Sequence, residues 1–213
     1  MALLYNKVMS SLPNTLTIAR IAVIPLFVAG FYVSGDLGRW MAFGLFVAAA
    51  ITDAVDGIIA RRWQAESSLG RMLDPIADKL IVAAALLMLV ADGTLEGVNL
   101  IPALVILCRE ILVSGLREFL AEAAVSLPVT SVAKFKTVMQ MIAIAALIAA
   151  RPGEHMLPGV AYVSLIVLWI AAGLTLYTGY AYLRAGLRHA RAVPDGGQSH
   201  RRRVHRQQHP VRP

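Results

Sequence analysis

The sequence predicts an all-α integral membrane protein, six transmembrane helices preceded by a short N-terminal interfacial helix, on three observations. Of its 213 residues 58% are hydrophobic and only 15% charged, with a mean hydropathy of +0.66, outside the usual range of soluble domains. Apolar runs at 14–33, 38–60, 72–91, 99–120, 131–150 and 157–183 have the length a helix needs to cross a hydrocarbon layer of ~30 Å. Lysine and arginine collect on one side of the resulting hairpins, the bias that orients a multi-pass protein.

Residues 1–13 set Leu3, Leu4, Tyr5, Val8, Met9 and Leu12 against Asn6, Lys7, Ser10 and Ser11, an amphipathic segment suited to the membrane interface. A signal peptide is the competing reading, and the apolar run that follows lacks an A-x-A site at its end. The first span starts at Pro13-Asn14 and carries Pro25 as a tolerated kink. Its opening turns hold Asn14, Thr17 and Arg20 at spacings of three, a polar strip whose simplest role is capping and snorkelling to headgroups.

The second and third spans are joined by a turn from Arg61 through Arg62 and Gln64 to Ser68, and Pro75 opens the third helix, where its missing N–H costs little. The fourth span carries Arg109, Glu110, Arg117 and Glu118 in its second half, and Lys134, Lys136 and Thr137 lead into the fifth. The sixth ends in an expected aromatic belt of Tyr177, Tyr180 and Tyr182. Residues 14–187 thus form one six-helix domain, and 188–213 read as a disordered basic tail, with lipid attraction or no role favoured over nucleic acid. The single cysteine, Cys108, excludes an internal disulfide and any zinc spacing.

Six spans place both termini on one side, with Lys7, Arg20, Arg61, Arg62, Arg71, Lys134, Lys136 and the tail. The opposite loops, around 36–39, 92–96 and 151–155, are short and poor in Lys and Arg, so the termini are expected in the cytoplasm.

The stretch from Asp53 to Asp78 organises the rest. Asp53 and Asp56 close the second apolar run, and Asp74 and Asp78 open the third. At roughly +2.5 to 3.5 kcal/mol for each Asp at a helix centre, four could cost about 10 kcal/mol if uncompensated. Asp53, Asp56, Gly57 and Ala60 lie on one helical stripe, and Asp74 and Asp78 are i and i+4 on the next helix. Converging carboxylates repel unless protonated or bridged, and Mg²⁺ or Mn²⁺ is the usual bridge, one or two ions. Gly57 and Ala60 leave room for a ligand against the helix, and Arg61 offers a phosphate fork. Together these describe a phosphoryl-transfer site.

The pattern D-x2-D-G-x2-A-R-x8-G-x3-D-x3-D, through Asp53, Asp56, Gly57, Ala60, Arg61, Gly70, Asp74 and Asp78, resembles that of the CDP-alcohol phosphotransferases, membrane enzymes that make phospholipids by displacing CMP. The resemblance runs from Leu12 to about Arg188. It implies a metal held by Asp53, Asp56, Asp74 and Asp78, with Asp78 also the general base. It implies CDP-lipid contacts at Asn14, Thr17, Gly57, Ala60, Arg61, Ser67 and Gly70, and a homodimer built on membrane helices.

Arg109, Arg117, Lys134 and Lys136 have two readings, charges that set orientation or a basic pocket for an anionic acceptor. The segments CREILVSGLREFLAE and VAKFKTVMQMIAIAAL resemble those of family members that use sn-glycerol 3-phosphate. The implied reaction moves a phosphatidyl group from CDP-diacylglycerol to that acceptor, in the cytoplasmic membrane of a bacterium. Direct attack and an aspartyl intermediate would use the same residues. Inositol phosphate, serine and phosphatidylglycerol are rival acceptors within the family. A divalent-cation transporter is the reading from another class, against which stands the clustering of the acids at one membrane face.

Overall fold

Hydrocarbon offers no partner for a backbone N–H or C=O, so an apolar run must satisfy both within itself, as a helix does. A computed structural model of the chain describes residues 2–63, 68–122 and 131–192, and among them it has six long helices and no strand. They are α1 (Ala2–Tyr32), α2 (Asp36–Trp63), α3 (Ser68–Ala91), α4 (Leu100–Glu122), α5 (Ser131–Gly153) and α6 (Val160–Ala192), with a 3₁₀ turn at Gly97–Asn99. Among the described residues four stretches are long and apolar enough to cross a membrane: Asp36–Val55, Gly97–Ala121, Phe135–Gly153 and Val160–Arg184. Thr17–Tyr32 is a shorter apolar stretch. The chain is an all-α membrane protein.

The helix ends differ from the sequence reading in ways that have local causes. Residues before Pro13 run into the first span as one helix, because Pro13 interrupts at most one backbone bond of a long run. α3 begins at Ser68, four residues before the predicted start of that span, so Pro75 sits in the second turn and not the first. The Pro75 carbonyl accepts a hydrogen bond from the Lys79 ammonium at 2.6 Å. α6 continues to Ala192, into the predicted tail, while residues 193–213 lie outside the described set.

α1 packs on α2 and α3, α2 and α3 both reach α5, and α4 and α5 pack on α6. The buried core takes Phe27 from α1, Phe46 from α2, Leu86 and Leu89 from α3, Ile106 from α4, Ile144, Leu147 and Ile148 from α5, and Leu168 from α6. Phe27 meets Phe46 at 6.1 Å and Phe31 edge-on at 5.3 Å between ring centroids. α1 and α2 approach closely at glycines: a Cβ on Gly38 would lie 2.4 Å from the Gly30 carbonyl oxygen.

At the end of the bundle bearing the 33–35, 92–99 and 154–159 connections, Arg39 is tied down in a knot. Its guanidinium pairs with Asp92, donates to Thr94 Oγ1 at 2.8 Å and stacks over the Phe31 ring at 4.5 Å. The Asp92 carboxylate also accepts from the Thr94 N–H at 3.0 Å, and Arg151 donates to the Asp92 carbonyl. Gly93, at φ +75°, supplies the left-handed turn that leaves α3 at this point. The far loops, poor in basic residues by sequence, thus use two of their arginines structurally.

Candidate active site

The other end of the bundle gathers the C-terminal half of α2, the first turns of α3, the C-terminal half of α4, the start of α5 and the C-terminal half of α6. A cavity of about 510 Å³ opens there. Asp53 and Asp78 line it together with Arg109, Arg117 and Lys136, so two of the predicted metal ligands share one space with three of the four predicted acceptor residues. Pro75, Lys79, Glu110, Val113, Ser114 and Glu118 are also on its wall. The C-terminal half of α2 contributes Asp53 and the first turns of α3 contribute Asp78, while α4 contributes Arg109 and Arg117, two helical turns apart, to the same lining.

Arg20 is the element the sequence reading misplaced. It is no headgroup snorkel but is 2% exposed, and its Nη1 lies 2.6 Å from Asp53 Oδ1. Burial removes water from a cation that must then find an anion within the protein, and α1 packing on α2 provides one. Thr17, a turn earlier, is 3% exposed and is not among the described residues lining the cavity.

On the opposite wall, Glu110 sits between two cations. Its carboxylate accepts from Arg109 Nη1 at 3.3 Å and from the ammonium of Lys136, which is 2% exposed. Arg109 Nη2 donates to Thr178 Oγ1 of α6 at 3.1 Å. Gly179 makes that reach possible, because the Arg109 chain passes across it, and a Cβ there would stand 3.1 Å from Arg109 Cγ. Tyr182 leaves the predicted aromatic belt: Tyr177 and Tyr180 are exposed, whereas Tyr182 is buried and borders the cavity. The spacing 177, 180, 182 held the signal, since Tyr182 is two positions from Tyr180 and must face another side of the helix.

The helical backbone at Asn14, Asp56, Gly57, Ala60, Arg61, Gly70, Asp74 and Lys134 is described, but their side chains lie outside the described residues, and so does Ser67 altogether. Among the described residues no three potential metal ligands converge. The donor chemistry nevertheless fits a hard divalent cation: Asp53 and Asp78 are oxygen donors on one cavity wall, and Asp56 and Asp74 are one helical turn from them on the same helices.

The family model for CDP-alcohol phosphatidyltransferases matches residues 10–177 of the chain. A protein of Rickettsia bellii named CDP-diacylglycerol–glycerol-3-phosphate 3-phosphatidyltransferase is 49% identical, over 84% of this chain and 97% of its own length. A protein of the same name from Cereibacter sphaeroides is 38% identical, over 83% of this chain and 96% of its own. One from Arabidopsis thaliana, carrying that name with the suffix 2, is 39% identical, over 85% and 81%.

Proposed function

Because the chain belongs to the CDP-alcohol phosphatidyltransferase family, we propose that its cavity is the active site for transfer of a phosphatidyl group from CDP-diacylglycerol to sn-glycerol 3-phosphate, releasing CMP. It is a membrane-bound transferase of phospholipid biosynthesis. The observation that carries the reading is the meeting of Asp53 and Asp78 with Arg109, Arg117 and Lys136 in one cavity. Acids suit the metal-bridged pyrophosphate of the donor; cations suit a dianionic acceptor and would repel a choline or ethanolamine.

The metal would be Mg²⁺ or Mn²⁺, one or two ions, held by Asp53, Asp56, Asp74 and Asp78. When bound it neutralises the pyrophosphate and the departing CMP. The chain's own residues do the rest. Arg61, with Asn14, Thr17, Gly57, Ala60, Ser67 and Gly70, positions the CDP group. Arg109, Arg117, Lys134 and Lys136 hold the acceptor's phosphate so that its primary hydroxyl faces Asp78. Asp78 takes the hydroxyl proton as the acceptor oxygen bonds to the lipid-bearing phosphorus and the bond from that phosphorus to CMP breaks. Arg20 fixes the Asp53 carboxylate for its role on the metal side.

The lipid tails would stay in the bilayer while the soluble acceptor enters from water; the same proposal has the site and both termini at the cytoplasmic face of a bacterial inner membrane, supported by the Lys/Arg bias along the sequence. A homodimer through the membrane helices is part of the same proposal. Purified protein in micelles with CDP-diacylglycerol and Mg²⁺ should release CMP when offered glycerol 3-phosphate and not when offered inositol phosphate, serine or phosphatidylglycerol. Release with a different acceptor would overturn the acceptor assignment; no release from folded protein would overturn the reaction.

A further inference from the structure

A carboxylate on the wall of a pocket for an anion needs a reason, and Glu110 is such a carboxylate. It is 17% exposed in its side chain and joins three helices: its own α4, α5 through Lys136, and α6 through Arg109 and Thr178. Without it, Lys136 and Arg109 would face each other as like charges with no anion between them, and repulsion would drive the two side chains apart. Glu110 occupies one N–H of the ammonium and one arm of the guanidinium, and Thr178 fixes the other arm. Arg117, two turns along α4, forms no ion pair among the described residues and reaches the same cavity unassisted.

We propose that Glu110 is a positioning residue for the acceptor: it binds Lys136 and Arg109 into one rigid cationic wall whose remaining N–H groups meet the acceptor's phosphate. This rests on the acceptor reading given above. It acts through Lys136 and Arg109, so its effect should fall on acceptor binding and should shrink when Lys136 is absent.

The test is a double-mutant cycle on the full chain in micelles, with Glu110→Gln, Lys136→Met and the pair, each checked for folding by thermal unfolding. Glu110→Gln should raise KM for glycerol 3-phosphate roughly tenfold and leave KM for CDP-diacylglycerol within about twofold. Glu110→Asp should recover part of the loss. In the Lys136→Met background the Glu110→Gln change should raise KM for the acceptor by clearly less than roughly tenfold, leaving only the share that runs through Arg109. Equal effects on both substrates, or independent effects of the two substitutions, would overturn the proposal.

Inorganic phosphate read by its shift of the unfolding temperature gives the same cycle without turnover. The wild-type shift should be clearly smaller in Glu110→Gln at the same phosphate concentration, and an undiminished shift would count against the positioning role. If wild-type protein turns over only with another acceptor, the acceptor reading fails while the phosphate cycle still decides the role of Glu110. If Glu110→Gln does not fold, Glu110→Asp carries the test, with a smaller rise in KM confined to the acceptor expected and an unselective loss overturning it.

Discussion

Arg20 Nη1 and Asp53 Oδ1 stand 2.6 Å apart across the α1–α2 contact, the arginine buried and the carboxylate 38% exposed toward the cavity. The pair places a structural cation behind an acid that faces the reaction. Removing the arginine as Arg20→Ala should lower stability by about 1–3 kcal/mol, less than for a fully buried pair because Asp53 keeps some water. It should also cut CMP release by at least tenfold. Arg20→Lys should keep most of the stability and lose much of the rate, since an ammonium cannot reproduce the fork. Thermal unfolding alongside CMP release separates the two effects.

Asp78→Asn keeps the shape of the side chain and removes its capacity to take a proton. CMP release should fall by a factor on the order of 10² or more, with the unfolding temperature unchanged or raised, since a buried charge is removed. A rate within a few-fold of wild type would exclude Asp78 as the base.

Arg117→Met should raise KM for glycerol 3-phosphate roughly tenfold or more, with KM for CDP-diacylglycerol little changed. Substrate titrations in micelles check this. A loss confined to CDP-diacylglycerol would move Arg117 to the donor side.

Outside the spans, Glu154 accepts from the N–H groups of Gly159 and Ala161, at 2.7 and 3.2 Å, where α6 begins. Those two bonds hold its pKa below the ordinary value of 4.5. A carboxylate with a depressed folded-state pKa stabilises the fold fully above its unfolded pKa, and that contribution is lost as pH falls through the folded value. Glu154→Gln should therefore lower the unfolding temperature near neutral pH and flatten the acid limb below about pH 4.5, the two proteins converging at lower pH. Unfolding midpoints across that range measure it.

Glycine spacing between α1 and α2 gives a purely steric prediction. Gly38→Ala would put a Cβ 2.4 Å from the Gly30 carbonyl and 2.6 Å from that of Val33, both backbone atoms that cannot step aside. It should destabilise by about 1–3 kcal/mol. Gly44→Ala, with nothing within 4 Å, should be neutral or stabilising by up to about 1 kcal/mol. Thermal unfolding of the two variants side by side checks the contrast.

The helical runs and the meeting of Asp53 and Asp78 at one end of the bundle were legible because hydrophobic length and acid placement are local properties, written along the chain. Arg109, Arg117 and Lys136 were legible for a related reason: a cation within a span needs a polar destination, and the cavity is one. The pairing of Arg20 with Asp53 was not, since it depends on how α1 lies on α2 and nothing local separates a snorkelling arginine from a buried one. Glu110 left a trace, an acid within a span beside an arginine, but its bond to Lys136 spans 26 residues and two helices. Gly179 reads as an ordinary membrane glycine until Arg109 is seen lying across it.

The Arg39 knot also shapes the electric field of the bundle. The Arg39 guanidinium is neutralised by Asp92 and covered by the Phe31 ring, and Arg151 is engaged on the Asp92 carbonyl, so the end remote from the cavity holds cations that exert little pull on anions in the surrounding water. An anion approaching the protein is drawn to the end where Arg109, Arg117 and Lys136 line an open cavity.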